Sequence, residues 1–124
     1  MAARRVGAIR PSNPVLVSGD WHTAWVNDLH ADPADNVSRQ VGIELVVTAA
    51  SSDPGFTDAR SAAAVSANPD VRYYAAHNGS LRVHVDRARW RAEFMRVDAK
   101  RPDGVADVAA RWALESGSPV AQRT

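Results

Sequence analysis

Asp20 and His22 stand two residues apart, directly behind Ser18-Gly19. A carboxylate and an imidazole at that spacing suit two kinds of chemistry. They can ligate a cation that accepts oxygen and nitrogen donors, or they can work as an acid–base pair. In an extended segment, residues two apart project to the same side, so the two groups would leave the chain together. A plainer reading is equally consistent with the spacing: Asp20 closes a turn, and His22 is a partly buried, hydrogen-bonded histidine.

The elements around the pair favour chemistry. Val15-Leu16-Val17 is a short unbroken apolar run rich in β-branched residues, and it predicts a strand buried on both faces. Ser18-Gly19 ends the run and permits a tight turn. The pair would then sit at the end of a buried strand, where open α/β sheets carry their ligands. Gly42 to Thr48 predicts a second strand buried on most of both sides. Ala49 to Gly55, rich in Ser, Asp, Pro and Gly, follows it as a turn. If the two strands are parallel and adjacent, Ser51, Ser52 and Asp53 line the same edge as Asp20.

Elsewhere, Thr23 to Leu29 predicts a short strand with Ala24-Trp25-Val26 as its apolar middle, and 30–40 a solvent loop. Thr57 to Ala67 predicts a short helix with Thr57 as its cap, ended by Asn68-Pro69. Residues 71–115 predict a four-stranded antiparallel meander, half-buried on one face. Its strands are 71–75, 80–86, 89–98 and 108–115, with Asn78-Gly79 and Arg87-Ala88 as turns and a bulge at Met95. Residues 1–13 and 116–124 read as loose tails. The expectation is an α+β chain, mostly β with one short helix, forming a single partial domain over 1–124.

Composition narrows the function classes. The 124 residues are 45% hydrophobic, enough for a core. A net charge of +1 points to no particular partner. The absence of cysteine excludes disulfides and thiolate metal sites. No apolar run has the length of a membrane span, and the first ten residues lack the apolar core of a signal peptide, so the chain as given is expected in the cytoplasm. Arg87, Arg89 and Arg91 around Trp90 fit a solvated strand face with Trp90 turned to the core, and no nucleic-acid partner is expected. His30, His77 and His84 are lone histidines read as structural or solvated.

Ser-Gly-Asp-Trp-His-Thr-Ala-Trp-Val-Asn-Asp-Leu, residues 18–29, resembles the C-terminal metal-binding segment of PhoD-like alkaline phosphatases, within the calcineurin-like metallophosphoesterases. Ser12-Asn13-Pro14, Glu44 to Thr48 with Ser51-Ser52, Asn68 to Tyr74 and Arg82 to Asp98 extend the resemblance over roughly residues 5–115. The resemblance implies part of a metallophosphatase-type β-sandwich, with Asp20 and His22 as metal ligands and His22 as a catalytic group. Asn27 and Asp28 would stand in support behind them. It further implies calcium with ferric iron as cofactors, and phosphate mono- and diesters as substrates. Full-length members are typically exported. The Gly-Asp-x-x-Asp and Gly-Asn-His segments that supply most ligands in the family are not found in this sequence. Two classes of function follow: a phosphoesterase segment, inactive until the N-terminal half completes it, or a non-catalytic remnant that pairs with itself. Sheet faces left uncovered imply a homo-oligomer joined near Val15–Val17 and Ile43–Val47, or poor solubility.

Overall fold

The computed structural model describes residues 11–55 and 58–124. Within them the chain forms β1 (Val15–Ser18), β2 (Ala24–His30), β3 (Gln40–Val46), helix α1 (Asp58–Ala67), β4 (Val71–Ala75), β5 (Asn78–Val85), β6 (Arg89–Val97), β7 (Asp107–Glu115) and β8 (Gln122–Arg123). The expected cap at Thr57 and the stretch 1–10 lie outside the described residues. The strands make two four-stranded sheets, ordered β1-β3-β2-β4 and β5-β6-β7-β8. The fold is α+β and mostly β, a sandwich of two sheets. Among the described residues no helix is long and apolar enough to cross a membrane.

Alternation builds the core between the sheets. Ala24 and Val26 of β2 and Ile43 and Leu45 of β3 meet Ala92 and Phe94 of β6 and Ala110, Trp112 and Leu114 of β7. These positions lie two apart, so each strand turns one row of side chains inward. The bulge expected at Met95 is present, as a register shift between Phe94 and Met95 opposite β7.

The expected adjacency of the first two buried strands holds. β1 pairs with β3 in parallel, with Ser18 opposite Val46. The expected burial of β1 on both faces does not hold. β1 is the edge of its sheet, and Leu16 and Val17 are 36% and 49% exposed. An apolar run reports how a strand is to be covered, and among the described residues nothing lies beyond β1.

The meander is shifted along the chain. β4 pairs with β2 in the first sheet and is not part of the second. The fourth strand of the second sheet is β8, drawn from the segment expected to be a frayed tail. It pairs with β7, and the neighbouring Ala121 is buried in the core. Asn78-Gly79 is likewise not a hairpin turn, because β4 and β5 belong to different sheets. Gly79 lies within β5, where a Cβ would meet the Met95 carbonyl oxygen at 1.8 Å, so only glycine fits that approach. Ala76 and His77 alone join β4 to β5. Four hydrogen bonds tie this corner to the loop after β3: Thr48 Oγ1 to the His77 carbonyl, Asn78 Nδ2 to the Ala49 and Ser52 carbonyls, and Gly79 N–H to the Ala49 carbonyl.

Candidate functional site

The parallel pairing of β1 and β3 brings the loops after both strands to one end of the sheet. Val47 N–H donates to the Ser18 carbonyl at 2.8 Å, carrying the pairing one step past the strands. Beyond it the two chains diverge and the loops open. Asp20 and His22 lie in the first loop, at φ of 75° and 59°. Among the described residues they are the non-glycine positions with positive φ. The expected extended geometry is therefore corrected: the pair sits in a tight left-handed turn. Asp and His tolerate this conformation better than most residues, and such backbone strain gathers at functional sites.

The turn still brings the pair together. Both line a hollow of about 400 Å³, with Trp21, Gly55 and Arg60. His22 Nδ1 donates to the Asp53 carbonyl at 3.1 Å, which joins the two loops and leaves Nε2 as the ring's acceptor. Arg60, in the first turn of α1, brings a guanidinium to the same hollow. Sequence reasoning missed Arg60. The signal was its position at the start of the helix that follows the Asp53 loop. Of the serines expected on this edge, Ser52 instead turns its carbonyl to Asn78.

Asn27 and Asp28 lie further down β2, and among the described residues no hydrogen bond joins either to Asp20 or His22. Asn27 Nδ2 donates to Glu44 Oε2 at 3.0 Å, and Ser18 Oγ donates to Glu44 Oε1 at 2.8 Å. Asp28 pairs with Arg72 at 3.0 Å and accepts from Gln40 Nε2. Asn27, Asp28 and Glu44 line a separate groove of about 660 Å³ between the outer face of the first sheet and α1. Trp21, 58% exposed, lines both the groove and the hollow.

The lone histidines have other surroundings. His30 bonds the Ser38 carbonyl and lies 3.4 Å from Asp70. His77 Nδ1 donates to the Asn78 carbonyl. His84 is exposed opposite Arg91, on the polar face of the second sheet. On that face Arg82 and Arg111 both grip Glu93, and their hydrogen bonds hold its carboxyl below the ordinary glutamate range. Burial pushes the Tyr73 hydroxyl up, in the core beside Phe94.

A metal centre must be tested against this donor set. Among the described residues no three His, Cys, Asp or Glu side chains gather to hold an ion. Asp20 and His22 fit a cation as part of a set, one oxygen and one imidazole nitrogen at one loop, and do not complete it.

The family model described as PhoD-like phosphatase matches residues 3–94. Alkaline phosphatase D of Bacillus subtilis (strain 168) is 28% identical over 85 residues, covering 67% of this chain and 15% of that protein. The solved structure of PhoD superposes with a TM-score of 0.84 at 19% identity, covering 99% of this chain and 24% of the other. The chain thus spans less than a quarter of the length of these relatives. The sandwich agrees with the solved structure and the family model reaches from before β1 into β6, so the chain belongs to the PhoD-like phosphatase family.

Proposed function

We propose that this chain is the segment of a PhoD-like phosphatase that contributes metal ligands for the hydrolysis of phosphate esters, and that it is inactive until the rest of the domain completes the site. The observation that carries this is the loop pair beyond β1 and β3, which collects Asp20, His22 and Arg60 around one hollow. Asp20 supplies a hard oxygen ligand. His22, held at Nδ1 by the Asp53 carbonyl, presents the Nε2 lone pair of its neutral ring to an ion, or as imidazolium donates from Nε2 to a phosphate oxygen. Arg60 offers planar donors to the non-bridging oxygens of the ester. The proposed cations are calcium and ferric iron, which supply Lewis acidity toward the ester and lower the pKa of water.

Calcium- and iron-dependent hydrolysis of a chromogenic phosphodiester tests this reading. The purified chain is expected to show no turnover at any pH. Joined to the upstream part of a PhoD-like domain it turns over, and Asp20→Ala or His22→Ala removes that activity. Full activity of the joined protein with Asp20→Ala sinks the reading. A second reading, a non-catalytic module that pairs with its own copies, draws on the open edge of β1, where Leu16 and Val17 are exposed.

A further inference from the structure

Glu44 is the half-buried carboxylate that lacks a cation. Among the described residues, the other half-buried acids each have an Arg or His partner: Asp28 has Arg72, Asp70 has His30, and Glu93 has Arg82 and Arg111. Glu44 accepts from two neutral groups, Ser18 Oγ and Asn27 Nδ2, and among the described residues forms no ion pair. Beside it, Asn27 Oδ1 is buried without a donor. A partly desolvated carboxylate without a counter-charge is unfavourable, so the site is short of a positive charge and a hydrogen-bond donor.

The groove over Glu44 describes what would supply them. Its walls include Trp25, Leu29, Val46 and Val71, which suit an apolar stem. Trp21 and Trp25 also line it, Trp25 with its ring packed edge-on against Tyr74. Glu44, Asp28 and Asp70 line it, and among the described residues no Lys or Arg does. An apolar stem ending in a planar cation is an arginine side chain. The chain aligns over 99% of itself with 24% of the solved PhoD structure, so most of the domain that would surround this face lies outside the chain.

We infer that the groove between the first sheet and α1 is the seat of a basic segment from the rest of the phosphatase domain, whose arginine closes on Glu44. This rests on the reading of the chain as a phosphatase segment and adds where the remainder docks and by what chemistry. The groove is distinct from the Asp20–His22 hollow, and among the described residues only Trp21 lines both.

The test is a titration of the ¹⁵N-labelled chain with N-acetyl-arginine amide, and in parallel with the uncharged N-acetyl-citrulline amide, each to about 100 mM to cover weak affinities. The arginine compound shifts the indole N–H signals of Trp21 and Trp25 and the Asn27 side-chain amide saturably, and the citrulline compound does not. Glu44→Gln, nearly isosteric, accepts from Asn27 Nδ2 through its oxygen and donates from its NH2 to Ser18 Oγ; it weakens the response at least ten-fold and leaves the melting temperature equal or higher. Equal responses to both compounds, no response, or a response that survives Glu44→Gln overturns the inference. Sedimentation of wild type and Glu44→Gln tests the occupant. Self-association that vanishes in Glu44→Gln would seat a second copy in the groove and overturn the assignment to the rest of the domain. Metal titration of Glu44→Gln keeps the two readings apart, since binding that depends on Asp20 persists whether or not arginine binds.

Discussion

His22 donates from Nδ1 to the main-chain carbonyl of Asp53, 3.1 Å away across the two loops that close one end of the first sheet. The contact runs to backbone, so the Asp53 side chain is dispensable to it. Its carboxylate faces Lys100 instead, 3.6 Å away and largely exposed. Asp53→Ala is therefore expected to leave the His22 ring in place. His22→Ala removes a bond worth about 1 kcal/mol, so amide exchange over 51–55 should accelerate roughly five-fold. Hydrogen exchange read by mass spectrometry checks both, and unchanged exchange in His22→Ala would show that the loops stand independently.

Metal affinity of the isolated chain should be low. Asp20 and His22 supply two ligands where a two-metal phosphoesterase site needs about six or more shared between ions. Calorimetric titration with calcium or ferric ion is expected to show weak binding that Asp20→Ala abolishes. Tight, stoichiometric binding indifferent to Asp20→Ala would contradict this.

Phe94 is wholly buried between the sheets and packs on Tyr73 with ring centroids 5.4 Å apart. Phe94→Ala should lower the unfolding free energy by about 3–5 kcal/mol, the usual range for a large aromatic removed from a core. Urea denaturation followed by tryptophan fluorescence measures it. A loss below about 1 kcal/mol would mean that the sheets close over the gap.

Glu93 links acidity to stability. Hydrogen bonds from Arg82, and next from Arg111, hold its carboxyl below the ordinary glutamate range when folded. A depressed folded pKa means that the unfolded chain takes up the proton first. The contribution is therefore whole above the unfolded value of about 4 and fades as pH falls through the folded one. The melting temperature should drop as pH falls below about 4, and Glu93→Gln should make that drop shallower. Parallel melting curves for both proteins across this range would remove Glu93 from the account.

The free edge of β1 sets the expected behaviour in solution. Leu16 and Val17 are exposed on a strand that, among the described residues, has an unpaired side, a template for another copy. Sedimentation at micromolar concentration is expected to show dimers or larger species, and Val17→Lys should shift them toward monomer. A wild-type monomer that unfolds cooperatively would show that the chain covers its own sheet.

What was legible in the residues is what repeats locally. The inward rows at Trp90, Ala92 and Phe94 and at Val108, Ala110, Trp112 and Leu114 follow from period two, and so does the bulge at Met95 that breaks it. The parallel adjacency of β1 and β3 could be posed from two apolar runs that each end in a polar turn. Sheet membership could not. Val71–Ala75 and Gln122–Arg123 carry no sign of which sheet receives them, because that depends on the chain turning a corner at Ala76-His77. Asn78-Gly79 misled for the same reason: the pair suits a hairpin, but here the amide serves the neighbouring loop and the glycine admits the Met95 carbonyl. The site was legible as residue types and not as conformation. Asp-x-His implied an extended pair, and the backbone is left-handed at both members.

The corner between β4 and β5 carries a mechanical consequence. Two residues span the passage from one layer to the other, and the same corner is bonded through Thr48, Asn78 and Gly79 to the loop whose Asp53 carbonyl receives His22. A sliding of one layer over the other would reach that loop directly through these bonds. The imidazole is thus tied by hydrogen bonds, through one short loop, to the seam where the chain passes between the sheets.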